Sequence, residues 1–393
     1  MALSHLTEKS MLKRTTLTLL MAGLMASLAA CNNSSNSVAA EAAPVVDSKT
    51  SFSSRKVAQF NEPWAMSFLP DGRLLVTEKK GQLKLYDIKT GKTGSITGVP
   101  QVAYGGQGGL GDIVLHPDFA KNGLVYLSYA ESGTGGKGAV VARGKLALNN
   151  TGGGQLSELQ VIWRQVPKVS GDGHFGHRIA FDQSGLLWIS SGERQKFDPA
   201  QDMRSNLGKI IRLKDDGSIP ADNPFASQGG VAAQVWSLGH RNPLGLAFNA
   251  KGELWEIEMG PKGGDELNLI EKAQNYGYPL VSNGDHYDGT PIPDHDTRPE
   301  FKAPAVSWSP VISPSSLMFY SGNQFPAWKN NAFVGGLSSE ALIRIEFNGN
   351  RTYEAERFDM GARIREVEQG PDGSIWLLED GPNANLLQLQ PKT

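Results

Sequence analysis

The chain is poor in several things, and each shortage removes a class of explanation. It has one cysteine, Cys31, so no internal disulfide can staple the fold. A core built from 393 residues needs none. It has almost no net charge, with 38 basic against 40 acidic residues, which argues against a nucleic-acid partner and leaves a small molecule as the expected one. Its body has no long stretch of the helix-favouring residues Ala, Leu, Glu and Lys. Instead, 46 glycines and 22 prolines mark a turn-rich chain built from strands. No apolar run is long enough to span a bilayer comfortably; the longest such segment, Leu17 to Leu28, follows Lys13 and Arg14 and reads as a targeting segment.

That segment ends in Leu-Ala-Ala-Cys, and small residues directly before Cys31 resemble a bacterial lipoprotein signal whose cysteine is acylated. Residues 1–31 are then the signal, and Asn32 in the following position resembles lipoproteins sent to the outer membrane. A secretory signal cleaved elsewhere is the alternative, and Met11 serves as well as Met1 for a start. Residues 32–51, rich in Asn, Ser and Ala, are expected to be a flexible tether. The expected location is the bacterial cell envelope, periplasmic, with the lipid anchor as the only membrane contact.

From Phe52 onward one pattern returns: a turn with Asp or Asn and Gly, then an apolar strand. It begins at Pro70, Asn122, Gln183, Ala250 and Pro371, at intervals of roughly 50 to 65 residues, and Asn330 to Phe347 fills the place of a missing copy. The expectation is an all-β chain, a six-bladed β-propeller over residues 52–393, with a plain β-sandwich as the alternative. Gly264 to Gln274 has a short amphipathic look and is expected to be a helical or looped excursion.

Four segments carry chemistry-bearing side chains. In Gly171 to Asp182, His174 stands in a glycine-rich loop where a ligand can approach closely, although a lone loop histidine is often merely solvated. His177 competes with it; a zinc pair is disfavoured because no third ligand is arranged nearby. In Trp236 to Phe248, Arg241 and Asn242 offer donors to an oxygen gaining charge, or form a structural corner. In Glu258 to Pro279, acidic side chains and the Gly260-Pro261 turn suit a hard cation, with turn capping as the alternative for Asp265 and Glu266. Arg363 and Arg365 alternate on one strand, and two cations on one face require an anion or a carboxylate between them.

Together with Ala103 to Ala120, these segments resemble, in order from about Gln59 to Leu389, the soluble aldose sugar dehydrogenases of the glucose/sorbosone dehydrogenase family. The resemblance implies a six-bladed propeller that binds pyrroloquinoline quinone (PQQ) and calcium and oxidises aldose sugars at C1 to lactones, passing electrons to an unspecified external acceptor. It implies that His174 is the base and Arg241 a catalytic partner. Gln107, Arg178, Asn242, Arg363 and Arg365 join His174 and Arg241 as cofactor contacts. Gly260 and Pro261 are implied ligands of a catalytic calcium; Glu266 and the backbone of Tyr276 are those of a structural one. His177 is then a bystander. Two departures stand out: Ser338 where relatives carry a lysine, and Met259 where they often show His or Gln. A calcium-dependent lactonase and a non-catalytic sugar-binding propeller, with Trp308 or Tyr104 as stacking platforms, are the rival readings. The segment Gly284 to Glu300 is a plausible rim loop.

Overall fold

The computed structural model describes residues 52–349 and 351–392. The expected signal, the expected lipidation at Cys31 and the expected tether therefore lie outside the described residues. Among the described residues no helix is long and apolar enough to cross a membrane, and the one α-helix is the single turn Phe119–Asn122.

The repeated turns do what their sequence asks. Gly72, Gly185, Gly252 and Gly373 hold φ between +77° and +87°, the left-handed region that glycine enters without cost. Each repeat then runs into a short strand: Leu74–Glu78, Leu124–Gly133, Leu187–Ser191, Leu254–Glu258 and Ile375–Glu379, with Ala332–Gly336 in the sixth place. Most are buried throughout, because they lie inside sheets covered on both faces.

Each of these strands pairs antiparallel with the strand before it, and further pairings build four-stranded runs. Two runs merge into one eight-stranded sheet through a short parallel contact, Ile96 with Gly154 and Thr97 with Gln155. The last run is completed by the first described strand, Phe52–Phe60, which pairs with Ala384–Pro391. The leading strands Pro63–Phe68, Leu110–Leu115, Gly176–Phe181, Pro243–Phe248, Pro314–Phe319 and Ile364–Gln369 touch one another in that order, and the last touches the first. The leading strands thus close a ring. Apolar clusters fill the space between neighbouring sheets, as where Phe333 and Leu342 meet Val367, Leu377 and Leu387.

All six leading strands shift register near their start, for example between Gly176 and Ile179, Pro243 and Gly245, and Ile364 and Glu366. Such bulges re-aim side chains. They place the neighbourhoods of His174, Arg241 and Arg363 at the same end of their strands.

The excursion expected over Gly264 to Gln274 is not helical. Asp265–Leu269 is a strand inside a sheet, paired with Leu254–Glu258 and Val306–Trp308, and only the residues after it are loop. Its apolar and polar residues alternate with period two: Leu267 packs in the core while Glu266 and Asn268 face buried polar partners.

Candidate active site

His174 sits in a loop that only glycines permit. A Cβ on Gly173 would come within 2.5 Å of Gln195, and one on Gly176 within 2.6 Å of the Gly192 nitrogen. Arg194 rivets the loop from behind, with Nε donating to the Gly173 carbonyl (2.9 Å) and its guanidinium over the Phe175 ring. His174 itself takes a positive φ of 51°. Its backbone N–H donates to Gln107 Oε1 (2.7 Å), and its Nδ1 is hydrogen-bonded to Glu193 Oε1.

Glu193 is the functional residue that the sequence reading missed. It is fully buried, and its oxygens accept the N–H groups of Gln195 (2.9 Å), Lys196 (2.5 Å) and Phe197 (2.7 Å). Burial pushes its carboxyl upward, but the His174 hydrogen bond and the N–H donors outweigh that and hold it below the usual range. Burial draws the His174 imidazole down, the Glu193 bond opposes this, and Arg241 adds to the lowering. The net result is an imidazole below its ordinary value, neutral at pH 7 and tethered through Nδ1. One signal was available: acids close the repeated strands at Glu78 and Glu258, and Glu193 lies two residues past such a strand.

His177 lines the cavity that holds Gln107, Arg363 and Arg365, yet its ring is tied into the fold. It stacks on Trp64 with ring centres 4.9 Å apart, bonds Ser128 Oγ through Nδ1 (2.8 Å), and is drawn down to about 3 by burial.

Arg241 and Asn242 are set by Glu258, whose Oε2 accepts both backbone N–H groups (2.5 and 3.0 Å). The Arg241 guanidinium donates to the Met259 carbonyl (3.0 Å) and lies against the rings of Tyr278 and Tyr287. Its Nε and the Asn242 Nδ2 are buried without a hydrogen-bond partner. His174 and Arg241 line one cavity of about 260 Å³, together with Phe197, Tyr278 and Tyr287.

Gln107, Arg363 and Arg365 line a second cavity of about 260 Å³ beside Lys79, Met259 and Asp380. Gln107 and Met259 hydrogen-bond His174 and Arg241, so they bridge the residues of the two cavities. The carboxylate required between Arg363 and Arg365 is Asp380, 2.9 Å from each Nε. Burial raises Asp380, but both arginines overrule it and keep the group well ionised. Lys79 is held below the ordinary amine value by burial and by Arg365. Ser338 is exposed and lines neither cavity; Lys79 is the third cation at the second one.

Gly260 and Pro261 line a cleft of about 10 Å³ with Glu258, Glu266 and Tyr276. The turn is pinned by Asp265, which accepts the N–H of Gly260 (2.8 Å), Ile312 and Ser313 (both 2.7 Å). Asp265 is thus the capping residue. Glu266 faces His295 Nε2 (3.2 Å), and burial pushes its carboxyl up. The Tyr276 hydroxyl bonds the Leu269 carbonyl, which leaves only its backbone for a cation.

Arg178 requires a correction. It lines neither cavity. Its guanidinium lies 4.2 Å over Trp64 and donates to the Leu244 (2.8 Å) and Ser315 (2.9 Å) carbonyls, with ion pairs to Asp112 and Glu366. With its own strand, those contacts touch all six leading strands, so Arg178 is an axle of the ring. Trp308, offered as a stacking platform, is buried and donates to Glu354.

A sequence profile described as glucose/sorbosone dehydrogenase matches residues 60–388. The chain belongs to this family. It is 39% identical over 343 residues to the aldose sugar dehydrogenase YliI of Escherichia coli K12, covering 85% of this chain and 91% of that protein. The crystal structure of the soluble E. coli aldose sugar dehydrogenase in its apo form superposes with a TM-score of 0.81 at 38% identity, covering 87% of this chain and all of the other. The PQQ-bound aldose sugar dehydrogenase of Streptomyces coelicolor superposes with a TM-score of 0.71 at 29% identity, covering 87% and 98%.

Proposed function

We propose that this family member is a six-bladed β-propeller that oxidises aldose sugars at C1 to lactones with PQQ and calcium. One juxtaposition carries the reading: a neutral, buried imidazole anchored by a carboxylate shares a cavity with an arginine that has a donor to spare.

The residues present fit both groups. Lys79, Arg363 and Arg365 give an anionic cofactor its counter-charges, and the unpartnered Arg241 Nε is a donor for a carbonyl oxygen; Asn242, fully buried and lining neither cavity, supports the His174 loop by accepting the Gly176 N–H (3.3 Å). The Gly260 and Pro261 carbonyls, in a cleft that also holds Glu258 and Glu266, suit calcium, and Glu266 with the Tyr276 backbone suits a second calcium. When bound, PQQ supplies a hydride acceptor and calcium a Lewis acid that polarises it.

The chain's own residues do the rest. His174 Nε2 accepts the proton of the sugar's C1 hydroxyl while Nδ1 stays with Glu193, whose charge stabilises the imidazolium that forms. Arg241 lines the His174 cavity and offers donors to oxygen that gains negative charge. Phe197, Tyr278 and Tyr287 present ring faces suited to a pyranose. Residues 1–31 would export the chain to the cell envelope and Cys31 would carry the lipid, with 52–393 as the catalytic domain.

The test is reduction of an artificial dye by the purified chain supplied with aldoses, PQQ and calcium. Dye reduction that requires both supports the proposal. Lactone hydrolysis without PQQ would replace it with the hydrolase reading, and binding of sugars without either activity with the binding module.

A further inference from the structure

Beside the corner that carries Arg241 lies a buried polar cluster in which His240 and Glu256 have no part in the proposed reaction, while Glu258 sets that corner and lines the cleft with Gly260 and Pro261. Glu256 and Glu258 alternate on one strand and so share a face, and Asn268 stands opposite Glu256 on the neighbouring strand. His240, from the loop before Arg241, meets them. His240, Glu256 and Asn268 are 0% exposed and Glu258 is 3% exposed, so water cannot solvate the two carboxylates.

The hydrogen bonds of this cluster do not close. His240 Nε2 is held by Ser237 Oγ (2.8 Å), and the ring is fixed by stacking on Tyr276 at 4.7 Å. That leaves Nδ1 facing Glu258 Oε1 at 3.4 Å and Glu256 Oε2 at 3.9 Å, and Nδ1 makes no hydrogen bond. Glu256 Oε1 and Asn268 Oδ1 are also buried without partners. In the tautomer with Nε2–H donating to Ser237 Oγ, the Nδ1 lone pair faces the carboxylate oxygens, and a cation among them would engage it together with the unpartnered Glu256 Oε1.

A divalent ion fits that role. One ligand atom each from His240, Glu256 and Glu258 lies within 4.8 Å of the others. Ligand atoms about 2.1 Å from a tetrahedral metal stand about 3.4 Å apart, close to the His240–Glu258 separation. A 2+ ion balances two carboxylates, and an imidazole nitrogen selects zinc-class metals over calcium.

We propose that His240 Nδ1, Glu256 and Glu258 Oε1 form a buried site for one zinc-class divalent metal ion, distinct from the calcium ligands assigned to Gly260, Pro261, Glu266 and Tyr276. Glu258 would then bridge, with Oε1 on the metal and Oε2 on the backbone N–H groups of Arg241 and Asn242. The ion therefore stiffens the corner that presents those two side chains. This inference is independent of the redox reading.

The test uses the full chain, stripped with dipicolinate, exchanged into excess calcium chloride and loaded with zinc sulfate. Elemental analysis after gel filtration is expected to find one zinc per chain, with a higher Tm than the stripped protein. The near-isosteric Glu256→Gln variant is expected to bind zinc at least about 10- to 100-fold more weakly. Cobalt chloride in place of zinc is expected to give visible d–d absorption and a hyperfine-shifted imidazole N–H resonance from His240, a readout that stands even if the variant fails to fold. No retained zinc in the wild-type chain, zinc displaced by calcium, equal retention by a folded Glu256→Gln, or cobalt without the shifted resonance would each overturn the proposal.

Discussion

His174 depends on Glu193 for both its orientation and its ability to carry a proton. Glu193 raises the basicity that burial and Arg241 suppress, so replacing it has two effects of known sign. Glu193→Gln is expected to lower kcat by about 100-fold or more and to move the acidic limb of the pH–rate profile to lower pH. The wild-type limb should itself fall below pH about 6.5, the ordinary imidazole value; a limb above that would contradict the assignment. The second cavity makes a different prediction. Arg365→Ala and Lys79→Ala are each expected to weaken PQQ binding about 10-fold or more, and wild-type affinity should fall as salt rises, both measurable by fluorescence titration. The neighbourhoods of His174, Arg241 and Asn242 stood out in the sequence through their glycine, arginine and asparagine contexts, whereas Gln107 was picked out only by the family resemblance. Lys79 and Asp380 were not legible, because an acid or amine near a strand end has no local signature until the loops converge, and Glu193 had only the faint one of acids that close repeated strands at Glu78 and Glu258. Arg178 was expected at the cofactor only because it closes the motif that begins at His174, and a motif does not say which side of a bulge a side chain takes.

The strands explain why the loops converge. A register shift at the head of every leading strand turns the preceding loop toward one end of the ring, and Arg178 ties those strands together. Arg178→Met leaves Asp112 and Glu366 as buried, uncompensated acids and is expected to cost about 3–5 kcal/mol of stability. PQQ affinity of the folded fraction should change little, whereas a cofactor contact would lose affinity first. The closing strand is tested by Phe52→Ala, which empties a pocket beside Trp328 and Phe358 and is expected to cost about 3–5 kcal/mol in denaturant unfolding. The repeated strands were legible because the Asp/Asn-Gly turn and the apolar run recur together. The strand Asp265–Leu269 was not, since five residues of alternating character fit a short helix nearly as well as a sheet. The parallel contact that merges two runs was not legible either, because it joins strands far apart in the chain, where the Thr97 hydroxyl donates to the Gly154 carbonyl (3.3 Å).

The described residues form a ring of sheets that holds an anchored imidazole, an arginine beside it, and a cavity lined by Lys79, Arg363 and Arg365 with Glu62 and Asp380. Export belongs to this level too: Cys31→Ala is expected to move the protein from the membrane fraction to the soluble one, checked by fractionation and blotting. The most direct measurement compares wild type with His174→Ala, following both PQQ binding and the reduction of bound PQQ by an aldose in one stopped-flow turnover with calcium present. The account predicts PQQ affinity within about threefold of wild type and a reduction rate about 100- to 10,000-fold lower. A His174→Ala protein that reduces its cofactor at the wild-type rate would contradict it.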